Sequence, residues 1–278
     1  MKVVLFCGGQ GLRMRGAGSD DVPKPMVLLG SQPILWHLMK YYAHWGHTEF
    51  ILCLGYKGTV VKEFFVNYKE WVSNDLVLTT GNQTIQLLRR DVVDWRITLV
   101  DTGHDASIGE RLLAVRPHLE GEEMFLANYS DGLTDCPLPA VIERLERTRA
   151  VGAFMAVRPS ISLHFVRYTQ DGVVTSVLNP EQADTWVNAG FFVFQTRIFD
   201  YLRRGDELVE EPFQRLIADG KLSVLPYTGF WRCCDTFKDL QVLEGLLRRG
   251  NAPWELWRLF APGHGPALPS RTRETSLA

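Results

Sequence analysis

Short apolar runs of strand length alternate with helical patterns through the first half of the chain. Residues 3–6 and 50–54 are continuous apolar runs, which is typical of strands that are buried on both faces. Helical periodicity follows each run, from about Pro33, with Ser31 as the expected N-cap, and from about Thr59. Because a strand–helix–strand order brings strands together in parallel, this pattern predicts an α/β fold whose sheet is covered by helices.

The pattern changes in the second half of the chain. Residues 97–100 and 124–127 have the composition of buried strands, whereas residues from 151 onward form shorter runs with hairpin signals such as Asp171-Gly172. We expect strands at 152–157, 164–168, 173–178 and 191–194, and helices at 197–202, 212–219 and 238–248. The expected fold class is therefore α/β, with a mixed, mostly parallel sheet flanked by helices.

The composition excludes several classes of protein. At 278 residues, with 46% hydrophobic and 22% charged residues, the chain has the make-up of an ordinary soluble globular protein. A net charge of −2 provides no overall field that would attract nucleic acid or an anionic membrane. Because no apolar stretch reaches the roughly 20 residues that span a bilayer and no signal-peptide pattern is present, we expect a cytoplasmic protein with no nucleic-acid or membrane partner. The five cysteines are odd in number and scattered, which argues against a disulfide framework and favours buried thiols.

No internal repeat and no strong linker divides the chain into independent parts. We therefore expect residues 1–260 to form a single domain. Residues 261–278 are rich in Pro, Ser, Thr, Arg and Gly and lack apolar periodicity, so we expect a disordered tail. Trp254 and Trp257 are interpreted as exposed aromatic residues that are available for a subunit interface.

A glycine-rich loop follows the first apolar run. Gly8, Gly9 and Gly11 allow bare backbone N–H groups to approach an anion, and Arg13 and Lys24 add positive charge. This combination predicts a phosphate-binding loop at the end of the first strand. The glycines alone are also compatible with a tight turn that binds nothing. A Rossmann dehydrogenase fits poorly, because a long loop containing Lys24 and Pro25 separates the glycines from the first helix.

Two carboxylates are candidate metal ligands. Asp131 follows the apolar run 124–127, and Asp235 lies in the segment Trp231-Arg232-Cys233-Cys234-Asp235-Thr236. Open α/β sheets bind their ligands at the carboxyl ends of the strands, and Mg²⁺ takes carboxylate oxygens together with substrate phosphates. Taken singly, each aspartate also suits a turn or a helix N-cap.

The order of these motifs resembles that of the sugar-phosphate nucleotidyltransferases, most closely the glucose-1-phosphate cytidylyltransferase branch. The glycine loop followed by Lys24-Pro25-Met26 matches the family signature, and the order and spacing hold from residue 1 to about 257. The strings that match this branch are Pro33-Ile34-Leu35-Trp36-His37, Gly55-Tyr56-Lys57-Gly58, Thr98-Leu99-Val100-Asp101-Thr102-Gly103, Ser130-Asp131-Gly132, Asn188-Ala189-Gly190-Phe191-Phe192-Val193, Glu211-Pro212 and Gly229-Phe230-Trp231.

The resemblance implies a Rossmann-like sheet of the nucleotide-diphospho-sugar transferase fold and a Mg²⁺-dependent reaction. A nucleoside triphosphate, with CTP favoured over UTP or dTTP, would condense with a sugar 1-phosphate to give an NDP-sugar and pyrophosphate. The nucleotide-binding part would occupy about residues 1–135 and the sugar-phosphate-binding part about residues 136–260. A homo-oligomer is also implied.

Roles for individual residues follow from the same resemblance. The catalytic residues would be Lys24, Arg13 and Asp131, and the metal ligands would be Asp131 and Asp235. The nucleotide would be held by Gly8, Gly9, Gly11, Arg13, Lys24, Thr102, Gly103 and Arg111. The sugar phosphate would be bound by Asn188, Glu211, Asn179 and Arg232.

The chain departs from the family pattern mainly on the sugar-phosphate side. Leu178-Asn179-Pro180 replaces a Glu-Lys-Pro whose lysine pairs with the sugar phosphate, and an amide does not supply the charge that a dianion requires. In the glycine loop, Leu12 replaces a threonine. We expect a modified sugar phosphate or a related cyclic phosphate as the acceptor, and the candidate replacements for the lost charge are Arg167, Arg232 and His164. The alternative is a nucleotide-binding, catalytically impaired homologue with a binding or regulatory role.

Overall fold

The computed structural model of the protein describes residues 1–9, 22–72, 74–88, 94–159, 164–180, 182 and 184–258. In this part of the chain the α-helices are α1 (Ile34–His44), α2 (Gly58–Val66), α3 (Ile108–Val115), α4 (Leu138–Thr148), α5 (Glu211–Ala218) and α6 (Phe237–Arg248). The strands are β1 (Val3–Phe6), β2 (Leu28–Leu29), β3 (Gln32–Pro33), β4 (Glu49–Leu54), β5 (Leu76–Thr79), β6 (Thr84–Leu87), β7 (Arg96–Asp101), β8 (Met124–Asn128), β9 (Gly132–Thr134), β10 (Gly152–Val157), β11 (Phe165–Tyr168), β12 (Val174–Leu178), β13 (Val187–Gln195), β14 (Leu222–Tyr227) and β15 (Trp231–Cys233).

A seven-stranded sheet with the order β14-β10-β13-β8-β1-β4-β7 forms the centre of the fold. Strands β8, β1, β4 and β7 are parallel to one another, and β14 is parallel to β10. Strand β13 is antiparallel to both of its neighbours, β8 and β10. The expected mixed, mostly parallel sheet is therefore confirmed. Its carboxyl edge, defined here as the edge at which β1, β4, β7, β8 and β10 end, carries the candidate site.

Apolar side chains on both faces explain why the central strands read as continuous hydrophobic runs. In β1, Val3 and Leu5 join one core cluster, whereas Val4 and Phe6 join the other. Helices α1, α4 and α6 contribute to the first cluster, and α3 and α5 contribute to the second. Because side chains alternate along a strand, helices on both faces bury every residue of β1.

The starting points of two helices differ from the sequence predictions. Helix α1 begins at Ile34, but its N-cap is Pro33, which has no side-chain capping hydrogen bond, so the predicted Ser31 cap is wrong. Pro33 belongs to β3 and has an extended backbone, which delays the first helical residue until Ile34. The helix expected at residues 197–202 is instead the 3-10 helix Thr196–Asp200.

The segment after α6 folds back onto α1, contrary to the expected exposure of its aromatic residues. Trp254 is 0% exposed, stacks on Phe230 with ring centroids 5.6 Å apart, and donates a hydrogen bond to His37 Nδ1 at 3.4 Å. The Trp257 ring packs against Trp36 of α1. These rings therefore belong to the core, because burying them removes large apolar surfaces from water.

The remaining sequence expectations concern the cysteines, the tail and membrane spans. Cys7, Cys53, Cys136 and Cys234 are buried free thiols, and burial raises the pKa of Cys7 to about 12. The tail 261–278 lies outside the described residues. Within those residues, every helix is too short or too polar to cross a bilayer.

Candidate active site

The first strand delivers two glycines to the carboxyl edge of the sheet. After β1, Cys7 N–H still bonds to Cys53 O at 2.9 Å, and Gly8 O accepts a hydrogen bond from Tyr56 N at 3.4 Å. Gly8 and Gly9 then leave the sheet at the position where a loop can approach a ligand. The other predicted loop residues, Gly11, Leu12 and Arg13, lie outside the described residues.

Lys24 lies between the two candidate metal ligands. It begins the short 3-10 helix Lys24–Met26, in which Pro25 and Met26 are buried. Its Nζ lies 2.5 Å from Asp131 Oδ2 and also pairs with Asp235 Oδ1, and its side chain is only 15% exposed. The structure thus brings together three residues that the sequence separates widely.

Strand geometry places the two aspartates opposite each other. Ser130 has a left-handed backbone (φ 68°), which is uncommon for a residue other than glycine, and its N–H bonds to Asn128 Oδ1 at 2.8 Å. This turn directs the chain from β8 into β9, which pairs with β15 through Gly132 and Cys233. Cys234 N–H extends that pairing to Asp131 O at 2.9 Å. Asp131 and Asp235 therefore emerge from adjacent points of one short ladder.

The electrostatics of this cluster follow from its burial. Burial raises the pKa of Asp131, and the Lys24 ammonium opposes that rise. Burial also disfavours the charged form of Lys24, but the attraction of Asp131 and Asp235 outweighs it and raises the Lys24 pKa. The lysine is therefore a firmly charged cation held between two carboxylates.

The same two carboxylates fit a divalent cation. They already surround one positive charge, and Mg²⁺ is commonly held by one or two carboxylates together with substrate phosphates and water. Among the described residues there is no group of three or more His, Cys, Asp or Glu that could hold a metal by itself. The donor set is thus suited to a metal that arrives with phosphate ligands.

Arg111 links the ends of three neighbouring strands. This buried side chain of α3 donates hydrogen bonds to Gly8 O at 3.4 Å, Leu54 O at 3.1 Å and Gly103 O at 2.8 Å. Thr102 Oγ1 accepts another hydrogen bond from the guanidinium at 2.8 Å. Four of the predicted nucleotide-binding residues, Gly8, Thr102, Gly103 and Arg111, therefore form one network, although their contact with a nucleotide stays a prediction.

The close approach of Arg111 explains two glycines of the edge. A Cβ on Gly8 would lie 2.2 Å from Arg111 Cζ, and a Cβ on Gly55 would lie 2.7 Å from its Nη1. Both distances are far inside van der Waals contact, so only glycine leaves room for the guanidinium at these positions. The lack of a side chain at Gly8 thus gives the Arg111 guanidinium its place at the strand ends, in addition to the phosphate-binding role that the sequence predicts for the Gly8 N–H.

Asn188 lies on the other side of the cluster. Its Nδ2 donates a hydrogen bond to the Tyr129 hydroxyl at 3.3 Å, and its Oδ1 accepts one from Gly190 N at 2.9 Å. The Tyr129 ring packs over Gly190, where a Cβ would lie 2.7 Å from Cδ2 of the ring. Asn188 is therefore held in a fixed orientation next to the turn that carries the first aspartate.

The other predicted sugar-phosphate residues are more scattered. Glu211 lies in the first turn of α5, where its carboxylate accepts a hydrogen bond from Glu207 N at 3.0 Å. Arg232 forms an ion pair with Asp239 at 3.0 Å. Asn179 is exposed after β12, and its backbone N–H bonds to Gln182 Oε1 at 3.1 Å. The structure does not bring these three residues into contact with one another.

Two of the three candidate replacements for the missing lysine, Arg167 and His164, belong to another part of the fold, whereas Arg232 lies in the β9–β15 ladder next to the candidate metal ligands. Arg167 is an exposed residue of the β11–β12 hairpin, opposite Ser176, and His164 is exposed just before that hairpin. Sequence reasoning did not assign a role to Arg158, which follows β10 directly at the carboxyl edge. Arg158 could have been found from the same sequence pattern that identified Asp131, namely a charged residue that follows a buried strand.

Comparisons with known proteins agree with this architecture. No family model matches the chain. A Bacillus subtilis (strain 168) protein named "Probable glucose-1-phosphate cytidylyltransferase" is 37% identical over 92% of this chain and 100% of its own length. A glucose-1-phosphate cytidylyltransferase of Salmonella typhimurium is 34% identical with the same coverage, 92% and 100%. The crystal structure of HddC from Yersinia pseudotuberculosis has a TM-score of 0.63 at 17% identity and covers 88% of this chain and 99% of that chain, which shows a shared fold. The chain therefore belongs to the glucose-1-phosphate cytidylyltransferase family, and it is a nucleotidyltransferase, as its motifs indicated.

Proposed function

We propose that the protein condenses CTP with a sugar 1-phosphate, or a modified sugar phosphate, to give a CDP-sugar and pyrophosphate. The observation that carries this proposal is the Lys24 ammonium held between Asp131 and Asp235 at the carboxyl edge, next to the end of β1. Phosphoryl transfer depends mainly on positioning and on neutralising charge, and this cluster provides both. The cytidylyltransferase names of the relatives support CTP as the nucleotide.

We assign the triphosphate to one group of residues and let the acceptor phosphate approach from the other side of the site. The backbone N–H groups of Gly8, Gly9 and Gly11, with Arg13, would hold the triphosphate, and Lys24 would face its α-phosphate. A phosphate oxygen of the acceptor then attacks the α-phosphorus in line, and the bond from that phosphorus to the leaving pyrophosphate breaks. Because negative charge grows on the α-phosphate oxygens during this step, a fixed ammonium there lowers the barrier.

Mg²⁺ is the cofactor that we propose for this site, held by Asp131 and Asp235. When bound, it would supply positive charge to the phosphate oxygens that accompany it. The two carboxylates would hold that charge in place, and their partial burial, at 24% and 33% side-chain exposure, would limit its screening by water.

We further propose that the nucleotide-binding part lies within about residues 1–135 and the sugar-phosphate-binding part within about residues 136–260, both in one domain. Thr102, Gly103 and Arg111 would line the nucleotide pocket through the network that joins the strand ends. The sugar phosphate would meet Asn188, Glu211, Asn179 and Arg232. The tethered Asn188 supports a sugar-binding role most directly, because its amide is already oriented beside Tyr129.

Pyrophosphate release tests the proposed function. The purified protein is incubated with Mg²⁺, one nucleoside triphosphate at a time, and a panel of sugar 1-phosphates and modified sugar phosphates. We expect release with CTP to exceed release with UTP or dTTP. No release with any pair, combined with tight CTP binding by calorimetry, would favour the alternative of a nucleotide-binding homologue that lacks turnover.

The quaternary structure is a separate part of the proposal. We propose a homo-oligomer, because the β5–β6 hairpin carries several exposed apolar side chains, namely Val77, Leu78 and Ile85, followed by Leu88. The Trp254 ring, in contrast, is buried within the protomer. The cytoplasmic location expected from the sequence stays a prediction.

A further inference from the structure

Arg158 lies on the sugar-phosphate side of the carboxyl edge. It is the first residue after β10, whose register pairs Ala156 with Asn188 and Val157 with Val187. Because side chains alternate along a strand, Arg158 falls on the same face as Ala156, and paired residues share a face. Arg158 is therefore on the same side of the sheet as the Asn188 amide.

Three residues in the described part of the chain contact the Arg158 guanidinium. Its Cζ lies 4.3 Å from the centroid of the Trp186 ring, and its Nη2 lies 3.0 Å from Asp184 Oδ1. Its Nη1 donates a hydrogen bond to Thr185 O at 3.4 Å. Stacking on an indole orients the planar guanidinium and leaves its N–H edge directed sideways. The arginine side chain is 32% exposed, so a ligand can still reach it.

The carboxylate partner of Arg158 is weakly held. The Asp184 side chain is 86% exposed, and an ion pair with so exposed a carboxylate contributes little to stability. A phosphate monoester carries up to two negative charges and offers two oxygens to a guanidinium in bidentate fashion. A phosphate would therefore replace Asp184 on Arg158 with a net gain in electrostatic attraction.

Three other cations, Arg232, Arg167 and Lys24, are less suited to an incoming acceptor phosphate. The Arg232 side chain is 23% exposed and is paired with Asp239, whose side chain is 18% exposed, so displacing that partner would leave a largely buried carboxylate without its cation. Arg167 lies in a separate two-stranded sheet. Lys24 is assigned to the nucleotide. Arg158 combines a position at the main sheet with a carboxylate contact, to Asp184, that is largely exposed to water.

We propose that Arg158 binds the phosphate of the acceptor sugar and supplies the positive charge that Asn179 does not. This assignment rests on the proposed function. Arg158 would bind two phosphate oxygens and leave a third free to attack the α-phosphorus, while Asp184 turns to solvent. Trp186 keeps the guanidinium oriented throughout, so the acceptor binds to a group that needs little reordering.

Steady-state kinetics of two matched variants test this assignment. Pyrophosphate release is measured with CTP, Mg²⁺ and the sugar phosphate that the wild-type protein uses best. In Arg158→Gln we expect the KM for the sugar phosphate to rise about 10- to 100-fold, as for loss of a charged hydrogen bond, with the KM for CTP changed by less than about twofold. In Asp184→Asn we expect the KM for the sugar phosphate to stay the same or fall, because a competing anion is removed.

The opposite responses of the two variants separate phosphate binding from a structural clamp. If Arg158 only fastened the segment before β13, both variants would lose the same ion pair and would be impaired alike. Arg158→Lys, which keeps the charge, should recover part of the affinity for the sugar phosphate. Equal impairment of the glutamine and asparagine variants, or an unchanged KM in Arg158→Gln, would overturn the assignment and leave the proposed function standing. A wild-type protein that releases no pyrophosphate with any acceptor would overturn both.

Discussion

At the scale of single residues, the Lys24 ammonium occupies the position between two carboxylates that we propose for the metal ion. Its ammonium lies between Asp131 and Asp235, at the place where a divalent cation would use the same oxygens. We therefore expect that a metal held by these two carboxylates would displace the lysine. The phosphates that accompany the metal then offer Lys24 a new anionic partner.

Lys24→Met should have opposite effects on turnover and on metal binding. Turnover should fall by about 10³-fold, because the charge opposite the α-phosphate is lost. Binding of Mn²⁺ without nucleotide should tighten by about 10-fold, because the competing ammonium is gone. Bound Mn²⁺ is measured from the loss of the free-ion signal in electron paramagnetic resonance.

A lysine at the opposite edge of the sheet provides the control. Lys2 lies 3.6 Å from Glu122, and Lys2→Met makes the same change in net charge far from the site. It should alter neither turnover nor Mn²⁺ binding. If Lys24→Met bound Mn²⁺ no better than the wild-type protein, the lysine and the metal would not share one position.

Gly8→Ala tests the space that Arg111 needs. The new Cβ would lie 2.2 Å from Arg111 Cζ, so the guanidinium must move and lose hydrogen bonds to the strand ends. We expect the free energy of unfolding to fall by about 1–3 kcal/mol, as for overpacking in a core, and CTP affinity to weaken. Urea denaturation measures the first effect and calorimetry the second. For the free energy of unfolding, Gly9→Ala is the matched control, since a Cβ there meets no described residue within 4 Å; equal losses of stability in both variants would refute the argument.

At the scale of secondary structure elements, the contact between α1 and the segment after α6 depends on a neutral histidine. His37 Nε2 bonds to Leu29 O at 3.0 Å, which requires that nitrogen to carry the proton. Its Nδ1 then accepts the hydrogen bond from Trp254 Nε1. Burial lowers the pKa of His37 to about 4, although the bond to Leu29 O opposes that effect. Protonation of Nδ1 would break the contact with Trp254.

This arrangement predicts a loss of stability in mild acid. The folded protein has a lower His37 pKa than the unfolded chain, whose value is about 6.5, so the unfolded state binds more protons between about pH 6.5 and pH 4. The free energy of unfolding should therefore fall by about 2 kcal/mol from this residue between pH 7 and pH 5. Denaturant titrations of the wild-type protein and His37→Gln at both pH values measure the difference.

Two other histidines are needed to interpret the pH dependence of the free energy of unfolding. Burial lowers the pKa of His47 to about 4 as well, so His37→Gln should remove only part of the pH dependence. His118 is exposed, and His118→Gln should leave the dependence as it is in the wild-type protein. If the pH dependence were identical in His37→Gln and the wild-type protein, protonation of His37 would not be a cause of the loss of stability in acid.

At the scale of the whole molecule, the exposed apolar face of the β5–β6 hairpin predicts assembly through that hairpin. Ile85 is 50% exposed, and Ile85→Glu should shift the protein towards monomers because a charge would be buried at the interface. Light scattering after size-exclusion chromatography measures the mass. Val66→Glu on α2, at a position that is 77% exposed, should leave the mass unchanged. An unaltered mass in Ile85→Glu would place any interface elsewhere.

The order of elements was accessible from the sequence because it depends on local patterns. The apolar run at residues 3–6 matches β1, and the predicted strand 152–157 matches β10. Aspartate and glycine after such runs also marked the strand ends at which we propose the active site. The predicted Ser31 cap was wrong because the extended backbone of Pro33 decides where α1 begins, and a residue type alone does not report backbone conformation.

The sequence by itself determined the α/β class, the family and the residue types available for phosphate chemistry. Only the tertiary structure placed Lys24 between Asp131 and Asp235, which lie 107 and 211 positions away along the chain. Only the tertiary structure, too, showed Arg111 joining three strand ends and Arg158 stacked on Trp186. Local patterns arise from neighbours in the chain, whereas these contacts depend on strand order and register, which are decided by the packing of the whole sheet.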